Sequence, residues 1–387
     1  MVRAPTADAL RARFVLRPAT VILVCAFALL ALGLAVLFSA SASYKEGPYF
    51  YLSKQVIGGV LAGVACFVTS RLDLDYLRRH TWWLGGLLLL LLVLVLVKHV
   101  GVWRGGGRRW LGYGPVLFQV SEFAKFGLVF CLAHYLAENQ TRLGEFRRGF
   151  CVPLLLIVAP AVLVQREPDF GAAALIGVVG LVLLFLAGAR LRHLLPAALL
   201  GLAGFTALVL HDPVRFRRVM SFLDLEGTRQ GAGYQNWQAL LAFANGGPAG
   251  VGLGQGRQQL NFLPEAHTDM IFAVVGEELG LGFTLGVVAL FAVMFVAGLM
   301  HLRRAPNLFQ FLLVAGALLL ICFQALINFG VVTALLPNKG MPLPFLSAGL
   351  SNLLLMGVLL GVILNSQRTW GRAALPARTR LLQEVMA

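Results

Sequence analysis

Apolar stretches of about 20 residues, the length that crosses a hydrocarbon core, recur near 19–39, 50–70, 83–99, 117–137, 149–165, 169–188, 192–210, 270–299, 308–334 and 343–365. The pattern predicts an all-α, polytopic membrane protein with ten transmembrane helices. Two stretches are the least apolar. Residues 117–137 carry Glu122, Lys125 and His134, and residues 50–70 carry Lys54 and Gln55. Polar side chains at membrane depth belong inside a bundle, so both helices are expected to face inward. Ser39-Ala40-Ser41-Ala42 after the first stretch is similar to a leader cleavage site. The apolar region before it is longer than the roughly 7–15 residues of a secretory leader, which predicts a retained helix.

One connection is long, residues 211–269, between the seventh and eighth predicted helices. Within it Tyr234, Trp237, Leu240, Leu241 and Ala244 recur at helical spacing, and Gly246-Gly247-Pro248 follows as a stop. This predicts a short amphipathic helix on the membrane surface, where Trp and Tyr are at home.

Composition agrees with the pattern. With 59% hydrophobic and 13% charged residues among 387, and mean hydropathy +0.81, there is too little polar surface to cover a water-soluble globule. Residues 19–366 read as one transmembrane domain, flanked by tails at 1–18 and 367–387. The net charge of +15 is spread in short clusters without a continuous basic face or a base-stacking motif. Anionic headgroups, and not nucleic acid, are the expected partners. One set of connections holds Arg17, Arg71, Arg78, Arg79, Arg142, Arg147, Arg148, Arg190, Arg192, Arg303, Arg304 and Arg368, with Arg3, Arg11, Arg13, Arg372, Arg378 and Arg380 toward the termini. Counted over the short connections, the alternate set is smaller: Lys45, Lys98, Arg104, Arg108, Arg109, Arg166 and Lys339. The positive-inside rule then puts both termini in the cytoplasm and 211–269 outside. Cys25, Cys66, Cys131, Cys151 and Cys322 all lie in apolar stretches without metal-ligand spacing and read as packing residues.

Charges that neither loop solvation nor topology explains carry the chemistry. Asp269 stands where the polar run Leu263-Pro-Glu-Ala-His-Thr-Asp269 meets an apolar helix. There it is either a partly desolvated general base or only the cap of that helix, with Thr268 as the other candidate cap. Glu277 and Glu278 begin about 12 Å further along at the 1.5 Å rise of a helix, too far to share a proton with it. Packing or hydrogen bonding within the bundle is expected of them. His267 has no second His at helical spacing and reads as an interfacial residue before a metal ligand or proton relay. Outer cations (Lys54, Arg108, Arg109, Arg166, Arg215, Arg217, Arg218, Lys339) suit headgroups or a phosphorylated substrate. Gly250-Val-Gly-Leu-Gly-Gln-Gly256 lacks the strand and helix of a nucleotide fold, and no GxxxxGK[ST], GxSxG or HExxH occurs.

Several motifs together resemble the SEDS family of cell-wall proteins, whose branches are FtsW and RodA. They are Ser39-Ala-Ser-Ala-Ser43; Arg109-Trp110 followed by Gln119-Val-Ser-Glu-Phe-Ala-Lys125; Glu167-Pro-Asp-Phe-Gly171; Gly233-Tyr-Gln235; Gly250-Val-Gly-Leu-Gly254; Leu263 to Asp269 with Gly276-Glu-Glu-Leu-Gly280; and Lys339-Gly-Met-Pro-Leu-Pro-Phe345. The run from Gly250 to Gly280 is closer to the FtsW branch. The resemblance implies a ten-helix peptidoglycan glycosyltransferase in the cytoplasmic (inner) membrane, polymerising lipid II at the outer face. Its implied partners are a class B penicillin-binding protein and other divisome membrane proteins.

Asp269 matches the family's essential acidic residue. Arg109, Trp110, Lys54, Glu122, Lys125 and Lys339 fall where they line or support the cavity, with His267 and Thr268 beside the acid. The pyrophosphate leaving group calls for cations or a divalent metal such as Mg or Mn; the residues leave the metal open. One motif departs from the family: PFxSYGGSS is here Phe345-Leu-Ser-Ala-Gly-Leu-Ser-Asn352, which unsettles any role for Ser347 or Ser351. A RodA-like elongation polymerase stays open within the family. A lipid-precursor flippase would depend on Glu122 and Lys125 more than on Asp269, and a non-enzymatic divisome scaffold would tolerate loss of Asp269.

Overall fold

The computed structural model describes residues 17–42, 44, 46–104, 106–114, 116–258, 260 and 262–386. Most of the predicted N-terminal tail, with Arg3, Arg11 and Arg13, lies outside the described residues, as do Ser43 and Lys45. In chain order the elements are α1 (Pro18–Ala40), α2 (Pro48–Arg71), α3 (Leu74–Arg79), α4 (Thr81–Leu96), β1 (Val102–Arg104), β2 (Gly107–Tyr113), β3 (Val116–Gln119) and α5 (Val120–Glu138). There follow α6 (Val152–Arg166), α7 (Phe170–Leu186), α8 (Leu191–His211), α9 (Pro213–Leu223), α10 (Tyr234–Gly246), α11 (Ile271–Leu302), α12 (Leu308–Val332) and α13 (Leu350–Met386). Eight helices among the described residues are long and apolar enough to cross a membrane; α4 and α7 are shorter apolar helices at the two remaining predicted positions. The chain is a multi-pass helical membrane protein.

Local chemistry sets the helix starts. Proline occupies the first turn of α1, α2 and α9, where its missing N–H costs nothing. Side-chain caps begin α3 at Asp73, α7 at Asp169, α9 at Asp212 and α12 at Asn307. The predicted amphipathic helix is present as α10 and ends at Gly246. The helix α9, with Arg215, Arg217 and Arg218, was not foreseen.

Four expectations are corrected. Residues 102–119 form a small antiparallel sheet in the order β1-β2-β3, with Trp110 opposite Gln119, so the fourth long helix starts at Val120 rather than 117. The last helix starts at Leu350, not 343: Pro337, Pro342 and Pro344 withdraw backbone donors, and 335–349 runs as an irregular segment that is mostly buried only from Met341 to Ser347. Its backbone then stays helical to Met386, through the stretch read as a separate tail.

The third correction concerns α11, which is not one continuous helix. It kinks at Gly280, whose φ is +75°. Gly250, with φ +76°, lies against it so closely that a Cβ on either residue would strike the other's backbone. Backbone bonds from Val251 to Glu277 and Gly252 to Glu278, at 3.0 and 2.9 Å, fasten the glycine-rich loop along this kink.

The fourth concerns burial. Helices α5, α12 and α13 form the centre, with 72–78% of their central windows buried, whereas α2 has 28% and α8 only 6%. The interior expectation holds for α5 and fails for α2, which turns one narrow stripe inward. Along that stripe Gly357 and Gly361 of α13 meet the Ala62 and Cys66 carbonyls of α2, leaving no room for a Cβ. Small residues let the two backbones approach in this way.

The connections sort to two ends. At one, Tyr44 meets His267, Arg109 meets residues 167–168, and Asn338 meets Gln235. At the other, Gln367 meets Thr20, Arg368 meets Ser70, and His301 stacks on Trp370.

Candidate active site

Asp269 occupies the first of these ends, in the connection just before α11. Its carboxylate does not cap that helix: Met270 is the N-cap, with no side-chain cap bond. Thr268 is likewise turned away, its hydroxyl donating to Glu265 Oε2 at 2.7 Å. The capping reading therefore fails for both residues. The Asp269 carboxylate accepts no hydrogen bond among the described residues, stays partly exposed, and abuts Gly340, where a Cβ would collide with it.

The backbone beneath the carboxylate is held firmly. Asn328 of α12 donates from one amide to Asp269 O at 2.7 Å and to Met341 O at 2.8 Å. Ser347 donates to Thr268 O at 2.7 Å, and Ala348 N donates to His267 O at 3.0 Å. Gln55 closes this brace from α2, bonding Ser347 O and Gly349 N at 2.9 and 3.3 Å. The departing motif thus keeps Ser347 as a brace, and Ser351 accepts from Gln119 N at 3.1 Å. The replaced Tyr and Gly positions, Ala348 and Leu350, enter none of these side-chain bonds. Asn328 was missed by the sequence reading; Asn328 with Gln324 one turn before it, in a span that is mostly apolar, was the available signal.

Charged groups gather around the acid. Lys339 Nζ lies 3.7 Å from Asp169 Oδ1, and Asp169 also caps α7 through Ala172 N and accepts from Gln119. Arg109, on β2, donates to Glu167 O and Pro168 O at 2.8 Å each, so the small sheet ties the guanidinium to the turn that carries Asp169. Trp110 is half-buried beside it on β2. Burial pushes the Asp269 carboxyl up to about 7, with Glu265 adding to the rise and Lys339 opposing it. Burial also pulls the Lys339 ammonium down; Asp169 opposes this, while Arg109 and Arg218 add to it. Glu167 is wholly buried beside Ser121, and burial followed by the charge of Asp169 pushes it up to about 8, with Ser121 and Arg109 opposing the rise.

The remaining predicted residues lie around this group or apart from it. The His267 ring packs edge-on against Tyr44 and Tyr51, with centroids 4.6 and 4.8 Å away, and burial lowers its pKa. Glu122 and Lys125 form a buried ion pair at 2.8 Å, completed by Asn352 on the acid and Gln324 on the base. This network is buried between α5, α12 and α13. Glu277 accepts from Arg257 N and Gln258 N, and Glu278 from Gly254 N and Ser39, so the pair makes hydrogen bonds as expected, but chiefly to the glycine-rich loop and not only within the bundle. Lys54 is not brought to the group: it is exposed, with its ammonium 4.0 Å above the Phe50 ring.

Residues 19–370 match the family model described as cell cycle protein, FtsW/RodA/SpoVE. The chain is 38% identical to stage V sporulation protein E of Bacillus subtilis over 91% of its length and 97% of that protein. It is 39% identical to a probable peptidoglycan glycosyltransferase FtsW of Coxiella burnetii, over 89% of this chain and 94% of the relative. Among solved structures, a chain from a study of polymerization and crosslinking by a peptidoglycan synthase complex superposes with TM-score 0.74 at 27% identity, covering 90% of this chain and 97% of that one. Crystalline RodA of Thermus thermophilus does so with TM-score 0.67 at 28% identity, covering 90% and 95%. A model matched over nearly the whole chain, and relatives aligned end to end, show that this protein belongs to the FtsW/RodA/SpoVE family.

Proposed function

We propose that the chain is a peptidoglycan glycosyltransferase of the FtsW type, polymerising lipid II at the outer face of the cytoplasmic membrane during septal wall synthesis. The observation that carries the reading is the Asp269 carboxylate, uncapped, partly exposed, titrating near neutrality and faced by Lys339 and Arg109. The arginine-rich connections support an orientation with both termini in the cytoplasm and this site outward.

In this reaction the 4-hydroxyl of one lipid-linked glycan attacks the anomeric carbon of another. A C–O bond forms to the acceptor oxygen, the bond from the anomeric carbon to the diphosphate oxygen breaks, and polyprenyl diphosphate leaves with the electron pair. Asp269 takes the hydroxyl proton and later returns it to water, a contribution of about 10²–10⁴-fold for a positioned base. The leaving group is a stable anion, so nearby cations replace the protonated second carboxyl of a glycosidase. Among the described residues no group of three or more His, Cys, Asp or Glu side chains converges as a metal-ligand set. A bound Mg or Mn would therefore need the substrate's own phosphate oxygens to complete its ligands.

The complex named for a solved relative supports pairing with a class B penicillin-binding protein that crosslinks the product, together with other divisome membrane proteins. The sealed Glu122–Lys125 pair weighs against the flippase reading, which needs those charges on a substrate path.

The test is polymerisation of labelled lipid II by the purified complex, wild type against Asp269→Asn. At least a hundredfold loss with substrate binding retained is the expected result. Undiminished polymer from the variant would remove Asp269 as the base, and no polymer from a well-folded wild-type complex would bring back the flippase and scaffold.

A further inference from the structure

At the end of the bundle away from Asp269, the turn from α2 into α3 and the facing parts of α12 and α13 line a cleft of about 290 Å³. Its floor is fixed by hydrogen bonds. The buried Asn365 of α13 donates to Thr69 O and Leu72 O at 3.0 and 2.7 Å, and Gln310 of α12 accepts from Trp370 Nε1. Four charged side chains complete the lining, Arg71, Asp73, Asp75 and Arg368, and all four are exposed. Asp73 uses Oδ1 to cap α3 at Asp75 N and Tyr76 N, and Arg368 makes one long bond to Ser70 O at 3.4 Å. None of the four enters an ion pair among the described residues.

Two cations and two carboxylates that share a cleft without pairing with one another suit a ligand that carries both signs of charge. A purely anionic group would gain from the arginines and lose to the aspartates. A phosphate with an ammonium beside it meets both. The surroundings are those of a lipid. Helix α2 turns most of its surface outward, and Phe67, Val68 and Leu72 at its end are 61%, 47% and 44% exposed. The Arg71 guanidinium lies 5.0 Å from the centroid of the Phe67 ring, so its stem follows the apolar helix while its charge stays at the rim. Headgroups sit at the ends of membrane-spanning helices, and acyl chains would run from this cleft along that apolar face.

We infer that this cleft binds the headgroup of a zwitterionic phospholipid with a primary amine, the chemistry of phosphatidylethanolamine. Its phosphate meets Arg71 and Arg368, and its ammonium meets Asp73 and Asp75. The inference depends neither on glycosyl transfer nor on which face of the membrane this end occupies. A lipid held here ties the α2–α3 turn to α12 and α13. The site differs from the general attraction of arginine clusters for anionic headgroups, because the two aspartates select for the amine.

The experiment titrates delipidated full-length protein with phosphatidylethanolamine, phosphatidylcholine and phosphatidylglycerol of matched acyl chains and counts bound lipid by native mass spectrometry. Phosphatidylcholine keeps the positive charge but has no N–H to donate, and phosphatidylglycerol has no amine. Wild type is compared with Arg71→Gln, Asp75→Asn and Arg79→Gln, each checked by thermal unfolding. Arg79 is exposed on α3 and does not line the cleft. Wild type should hold one phosphatidylethanolamine about tenfold more tightly than either other lipid, corresponding to one charge-assisted contact. Arg71→Gln should weaken that binding about fivefold or more, and Asp75→Asn should narrow the preference over phosphatidylglycerol to about threefold or less. Arg79→Gln should change it less than about twofold. Phosphatidylglycerol bound as tightly as phosphatidylethanolamine by wild type, with equal losses in Arg71→Gln and Arg79→Gln, would overturn the inference in favour of a general anionic-lipid surface. Unchanged phosphatidylethanolamine binding in both cleft variants would overturn it outright. Glycerophosphoethanolamine has the headgroup without acyl chains; binding as tight as that of the lipid would replace the lipid with a soluble zwitterion.

Discussion

Two acidic side chains at the site are held near neutrality by burial, and each has its own pH signature. A base with a pKa of about 7 gives a kcat/KM that rises about tenfold per pH unit below that value and levels off above it. A pH–rate profile of lipid II polymerisation checks this, and a flat profile from pH 5 to 8 would remove Asp269 from proton transfer. Glu167 acts on stability instead. Its folded-state pKa of about 8 is above the unfolded value of about 4.3, so the folded chain keeps a proton that the unfolded chain releases. Stability from this group is present at acid pH and is lost as pH rises through that window, with a slope of at most about 1.4 kcal/mol per pH unit. Glu167→Gln should flatten the fall, as measured by thermal unfolding from pH 5 to 9.

Among the elements, the irregular segment 335–349 matters most, because it presses Gly340 against the Asp269 carboxylate and sends Ser347 to the backbone of Thr268. Ser347→Ala removes two hydrogen bonds, one given to Thr268 O and one accepted from Leu343 N. It should cost roughly 1–3 kcal/mol in unfolding. Because Ser347 positions the acid and does not touch substrate, kcat should fall while KM stays within about twofold, and Ser347→Thr should restore part of the loss. An unchanged kcat would show that the connection holds its shape without this bond. The proline-rich sequence explains why no helix forms here, and only the folded chain shows what the segment braces.

In the molecule as a whole, the buried pair Glu122–Lys125 joins α5 to α12 through Gln324 and to α13 through Asn352. Lys125→Met strands a buried carboxylate and should destabilise by about 3–5 kcal/mol, whereas Glu122→Gln with Lys125→Met should recover much of that loss. Unfolding of both variants in detergent checks this; equal losses would show that the charges do not act as a pair. The outlying position of α8, 6% buried against 72% for α12, leaves its stability to lipid contact rather than to the bundle.

The amino-acid sequence by itself determined that this is a multi-pass helical protein, because apolar runs and arginine clustering are local properties that the bilayer reads directly. It also marked Asp269, Arg109 and Lys339, since charge where a polar run meets an apolar one is conspicuous in any linear reading. It did not reveal the β1-β2-β3 sheet, whose strands pair with their chain neighbours and whose last strand overlaps a run that also reads as apolar helix, the kink at Gly280, which rests on the Gly250 loop thirty residues before it, or the withdrawal of Lys54 onto Phe50. Asp169 with Lys339, Asn328 under Asp269, and Arg215 over Phe170 are separated by 170, 59 and 45 positions along the chain. Only the tertiary structure decided which cations meet the acid, because an Arg or Lys looks the same in sequence whether it faces lipid headgroups or another segment's carboxylate.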